Sequence, residues 1–146
     1  MHSFRTRRRR AFTLIELLVV LVILGLLAAL IGPKFIKNIG KGQRGTAKAQ
    51  IKNFDTALKL YSVDAGGPPS TQQGLDALVG EPSGSPRPLK WDGPYIDKIP
   101  LDPWGNPYVY EQQDDDTYVI ISYGKDGKEG GTGEDADIVS TDLGAE

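Results

Sequence analysis

The chain has no cysteine, one histidine and one methionine among its 146 residues. Without cysteine there is no disulfide framework and no thiolate nucleophile. The single imidazole, His2, stands just ahead of the arginine run Arg7-Arg8-Arg9-Arg10. If that basic start is a leader that is removed, no imidazole remains. A Ser-His triad, a Cys nucleophile and an ordinary zinc site are then all excluded. Carboxylate catalysis stays formally open, but structural and binding roles carry most of the weight. Positive charge is scarce too. The formal net charge is −2, and removing the leader's five arginines leaves 12 basic and 19 acidic residues, a net of −7. An acidic chain of this kind argues against nucleic acid as a partner.

What the chain does have is a long apolar run. Phe12–Ile31 is 20 residues, interrupted by one charge, Glu16. As a helix it spans a hydrocarbon core of about 30 Å. A carboxylate near the membrane centre costs roughly 2.5–3.5 kcal/mol on insertion scales, which normally marks a functional residue with a partner. One plainer reading has Glu16 reaching the headgroup layer. Another makes residues 1 to about 29 a cleaved secretory signal, but the run is too long, carries a charge and lacks a clear A-x-A exit. Arginines on one flank of a spanning helix keep that flank cytoplasmic and send the rest across. The length fits one domain plus an anchor.

Beyond the anchor, Gly32-Pro33 is expected to bend or loosen the helix, because proline removes a backbone bond and crowds the preceding turn. Helical periodicity then resumes: Ala47, Ile51, Phe54, Leu58 and Tyr61 form one apolar face, with Lys48, Lys52, Asp55 and Lys59 on others. This stripe is read as core packing. From Phe12 to about Ser62 such a helix measures roughly 75 Å. Gly66-Gly67-Pro68-Pro69 ends it. A short helix is expected over Gln72–Val79, a loop over Glu81–Pro88, and β-strands at Tyr95-Ile96, Pro107–Glu111 and Thr117–Ser122. The last two form an antiparallel hairpin around the polar stretch Gln112–Asp116.

The C-terminal region is acidic and glycine-rich. Asp126–Asp137 places five carboxylates among four glycines. Hard cations such as Ca²⁺ take six to eight oxygens from carboxylates, carbonyls and water, and glycine lets a backbone turn its carbonyls inward. A solvated acidic turn without metal has the same composition. The EF-hand pattern fails, because Lys128 and Gly130 fall where oxygen ligands belong. Gly130–Ile138 nearly matches one calcium-solenoid repeat but carries Asp137 at an apolar position, and those repeats work in stacks.

Arg10-Ala11-Phe12-Thr13-Leu14-Ile15-Glu16-Leu17 resembles the class III signal of type IV pilin-like proteins. In the head, Ser70–Leu78, Gly93-Pro94-Tyr95-Ile96, Pro100–Tyr108, Ser122–Gly127 and Asp135–Ile138 are similar to the major pseudopilins of type II secretion. The resemblance covers nearly the whole mature chain in order. It implies an α+β, type IV pilin-like fold: a long N-terminal helix, spanning the membrane in its first half, packed on a small antiparallel sheet with a C-terminal calcium loop. It divides the chain into a leader (1–11), a transmembrane and filament-core segment (12–33) and a periplasmic head (34–146).

The resemblance also implies cutting by a prepilin peptidase between Ala11 and Phe12, where the family usually has Gly in place of Ala11, and N-methylation of Phe12. Glu16 would pair with the Phe12 ammonium of a neighbouring copy, and Pro33 would mark the stretch where filament packing tolerates unwinding. One structural Ca²⁺ is implied, with Asp126, Glu134 and Asp137 as side-chain ligands and Tyr123 and Asp135 as carbonyl donors, Asp135 being the alternative to Glu134 for a side chain. The implied role is non-enzymatic: the major subunit of a periplasmic pseudopilus that helps push folded proteins through the outer-membrane secretin. Its implied partners are further copies of the chain, minor pseudopilins, the inner-membrane assembly platform and, before assembly, lipid. The alternatives are a pilus-type or minor pilin and, more remotely, an anchored enzyme or solute-binding module.

Overall fold

The computed structural model describes residues 12–114 and 116–144, with 32–39 described as backbone only. The leader 1–11, including Ala11, and residues 115, 145 and 146 lie outside the described residues. The chain divides into two units, 1–38 and 39–146. Each is taken by itself.

Helix α1 runs Leu14–Ala65, 52 residues, and contains Gly32 and Pro33. In the first unit its segment Leu14–Ile31 is long and apolar enough to cross a membrane, and none of it is buried. An isoleucine- and leucine-rich helix with no protein against it requires an apolar surrounding.

In the second unit α1 carries the core. Ala47, Ile51, Phe54, Leu58 and Tyr61 are all at most 2% exposed, as the periodicity predicts. They pack with Leu75, Leu78, Tyr108, Tyr110, Ile120 and Ile138. Phe54 meets Tyr108 edge-on at 5.1 Å and Tyr61 meets Tyr95 at 5.6 Å, the geometry aromatic quadrupoles prefer. The helix stops where Gly66-Gly67-Pro68-Pro69 begins.

Three antiparallel strands form one sheet in the order β1 (Val109–Asp114), β2 (Thr117–Ser122), β3 (Ile138–Val139). Tyr110 pairs with Ile120, and Ser122 with Ile138. The hairpin expected from sequence is present, with β1 extending through residues read as its loop and a register shift between Gln112 and Asp114.

Two local expectations are corrected. Tyr95-Ile96 is not a strand: both amides donate to the Leu78 carbonyl, at 2.8 and 3.3 Å, so neither is free for a ladder. The expected helix over Gln72–Val79 is a 3₁₀ turn, Gly74–Leu78. It starts late because Ser70 and Gln73 bond each other, Ser70 N–H to Gln73 Oε1 at 3.0 Å and Gln73 N–H to Ser70 Oγ at 3.3 Å.

Buried phenols give the head an alkaline limit. Burial, with Asp102 nearby, raises the Tyr108 phenol to about 12. Tyr110, which donates to the Pro69 carbonyl at 2.7 Å, is raised mainly by burial. Tyr118 is raised by burial and by its 2.9 Å bond to Asp55. The folded state therefore holds these protons more tightly than the unfolded chain. The resulting stabilisation is fully present below about pH 10 and declines as pH rises towards about 12. Thermal unfolding of the full chain in detergent should show a midpoint that is flat from about pH 8 to 9.5 and falls above about 10. A midpoint constant to pH 12 would contradict this account.

Candidate functional site

Two places gather polar function, one at each end of the chain. At the N-terminus, Thr13 stands immediately before α1. Its Oγ1 accepts the Glu16 N–H at 3.3 Å, and Glu16 Oε2 accepts both the Thr13 N–H and the Thr13 hydroxyl at 3.1 Å. This is a reciprocal capping box, which satisfies orphan donors of the first turn and sets the carboxylate against the positive end of the helix. The Thr13-x-x-Glu16 spacing is the signal for it, a local partner distinct from the neighbour's Phe12 ammonium expected from the resemblance. Among the described residues, the other oxygen, Oε1, has no bonded donor. Glu16 shares an exposed stretch of helix surface with Phe12, Ile15, Val19 and Val20.

At the other end, the segment between Ser122 and Ile138 forms a loop closed at its base by the β2–β3 pair. Its start is held by an adjacent turn. Asp102, only 4% exposed, accepts the backbone N–H groups of Trp104 at 3.0 Å and Asn106 at 2.8 Å through Oδ1, and the Ser122 hydroxyl at 2.8 Å through Oδ2. Asn106 in turn donates from Nδ2 to the Gly124 carbonyl at 2.8 Å. Trp104 packs on the core. Gln43 on α1 donates to the Pro103 carbonyl at 3.3 Å.

The end of the loop is held by cations of the chain itself. Arg44 donates to the carbonyls of Gly133 at 3.1 Å, Ala136 at 2.6 Å and Asp137 at 3.4 Å. Lys125 pairs with Glu134 at 2.9 Å, and the carboxylate keeps the ammonium proton bound above the usual lysine range. The Glu134 side chain also lies against Gly40 of α1, where any Cβ would collide with it.

The five residues expected to face a cation are thus distributed as follows. Tyr123 and Asp135 are half-buried on opposite arms of the loop. Asp126 is exposed and accepts the Lys128 N–H at 3.1 Å. Glu134 is engaged by Lys125. Asp137 Oδ2 accepts the Gly130 N–H at 2.9 Å, while its Oδ1 is buried with no hydrogen-bond partner. Among the described residues, no group of three or more His, Cys, Asp or Glu side chains is arranged to hold one metal ion. The donor set is therefore not a carboxylate cage, and the feature a hard cation would satisfy is the orphaned Asp137 oxygen.

Comparison with known proteins bears on both ends. The model of type II secretion system protein G matches residues 34–141, and that of the prokaryotic N-terminal methylation motif matches residues 6–32. The chain is 48% identical over 139 residues to the type II secretion system core protein G of Pseudomonas aeruginosa, covering 93% of this chain and 97% of that one. The chain belongs to the type II secretion system protein G family. The Vibrio cholerae core protein G is 41% identical over 136 residues, with 92% of each chain covered. A crystal structure of the major pseudopilin of enterohaemorrhagic Escherichia coli superposes with a TM-score of 0.61 at 34% identity, covering 71% of this chain and 90% of that one. These matches establish the type IV pilin-like fold and support a type II secretion pseudopilin over a pilus-type pilin. The methylation motif and the apolar helix fit a membrane-anchored member of the protein G family.

The loop's tight path gives a test. Gly124 has φ of +66°, and a Cβ there would lie 2.8 Å from the Asp135 and Glu134 carbonyl oxygens. Gly124→Ala should destabilise the full chain by about 1–3 kcal/mol, read as a lower thermal midpoint. An unchanged midpoint would contradict the close approach.

Proposed function

We propose that this chain is the major, non-enzymatic subunit of a periplasmic pseudopilus, made in the inner membrane and drawn out of it by polymerisation. In this reading a prepilin peptidase cuts between Ala11 and Phe12 and methylates the new amine. The N-terminus faces the cytoplasm and the head the periplasm. Copies of the chain then stack through the segment 12–33 with Pro33 inside the stack, joined by minor pseudopilins and driven by the inner-membrane platform, to push folded proteins through the secretin.

The observation that carries the reading is the fixed carboxylate of Glu16 at the head of a wholly exposed apolar helix. Thr13 holds Oε2, so the position of Oε1 is set rather than free to wander. A neighbour's Phe12 ammonium meeting Oε1 would relieve two desolvated charges at once, whereas either alone is costly. The same contact would fix the axial register of one copy on the next. Cutting at Ala11 leaves Thr13 and its capping box intact, so the acceptor is built before the partner arrives.

Calcium, when bound in the C-terminal loop, would supply a divalent counter-charge that Asp137 lacks. By sequence position the resemblance offers Asp126, Asp137 and either Glu134 or Asp135 as side-chain ligands, with carbonyls of Tyr123 and Asp135; the loop would have to draw these side chains together around the ion. What supports this is the buried, unpartnered Asp137 Oδ1.

Glu16→Ala is expected to abolish filament assembly while the protein still inserts in the membrane, scored by crosslinking and fractionation of cells. Normal filaments from that variant would sink the pairing. For the loop, calcium should raise the thermal midpoint of the full chain in detergent and EGTA should lower it. Identical midpoints in metal-stripped protein with and without calcium would remove the metal from the account.

A further inference from the structure

Among the described residues, the Arg44 guanidinium is the one side chain that reaches three backbone carbonyls of the C-terminal loop, those of Gly133, Ala136 and Asp137. These contacts join positions 89, 92 and 93 residues apart. Arg44 is half-buried on α1, one turn before Ala47, where the apolar face begins. A guanidinium has five donors in a rigid planar fork and no acceptor, so carbonyls turned towards it are its natural partners. Carbonyls crowded on one side of a loop repel each other unless a cation or donors lie among them. Here the chain supplies that cation itself. Next to this clamp, Glu134 is held by Lys125 and lies over Gly40, so the same stretch is attached to α1 at a second point.

We propose that Arg44 is a positioning residue that locks Gly133–Asp137 onto α1 independently of any bound metal. It presets the backbone from which Asp137 projects. The loop then has two supports of different kinds. Asn106 and the Asp102 turn hold its start from the sheet side, and Arg44 holds its end from the helix side. Losing Arg44 would free the end of the loop while the hairpin stays folded, because no described hairpin residue bonds to the guanidinium. The inference does not rest on calcium binding.

Hydrogen exchange of the full chain in detergent, with EGTA present, tests it. The amides to follow are Asp135, which donates to the Thr132 carbonyl, and Asp137, which donates to the Gly130 carbonyl. In the wild-type chain both should be protected without metal. Arg44→Gln should speed their exchange by about tenfold or more, with β1–β2 amides unchanged. Arg44→Lys keeps the charge but loses the fork, and should give an intermediate rate. Three results would overturn the proposal: wild-type loop amides that exchange freely in EGTA, an Arg44→Gln loop as protected as wild type, or hairpin amides that loosen together with the loop in both variants. Repeating the series in calcium separates the two ideas. No added wild-type protection there would count against the metal alone and leave the Arg44 result standing.

Discussion

The head depends on one interaction, the burial of the α1 face Ala47–Tyr61 against the β-hairpin. Phe54 and Leu58 are fully buried, and each such side chain contributes roughly 1.5–3 kcal/mol by leaving water. Because this face is continuous with the residues just before it, seating the stripe also sets Gln43 and Arg44. Gln43 reaches the Asp102 turn and Arg44 reaches the loop. Packing of the helix thereby determines where the distal polar loop can lie. The hydrophobic contact is non-directional, and the polar contacts supply the register.

That division explains why the C-terminal loop can be rich in carboxylates without coming apart. Asp102 is satisfied by backbone and hydroxyl donors, Glu134 by Lys125, and the carbonyls at the loop's end by Arg44. The Asp137 oxygen is the exception, and a buried unpaired carboxylate oxygen is costly. It is the point where a cation would contribute most. A loop built this way combines a fixed frame with one unpartnered carboxylate oxygen.

Much of this was legible in the sequence, and the rest was hidden for definite reasons. The apolar stripe, the β1–β2 hairpin and the glycine-proline stop of α1 follow from local period and turn chemistry. Thr13 was legible as well, since T-x-x-E is a capping-box spacing, but a charge in an apolar run drew the eye to distant partners. Tyr95-Ile96 misled because aromatic and β-branched residues favour strands only when their amides are free, and here the Leu78 carbonyl takes both. Arg44 could not be read at all. An arginine on the polar side of a helix looks like a solvated charge until the fold brings the far end of the chain beside it. The assignment of Glu134 to a metal rested on position, and position does not reveal that Lys125 competes for it.

At the membrane end the logic is electrostatic. Glu16 is held by Thr13 on an apolar helix surface, and a cation brought to it would relieve part of its cost in the membrane. The proposed cation is an amine that exists only after the bond following Ala11 is broken, which makes assembly conditional on processing. Mass spectrometry of the mature chain tests this most directly. The account predicts a protein beginning at N-methylated Phe12. A chain that retains residues 1–11 in assembled material, or that begins near Leu30, would contradict it.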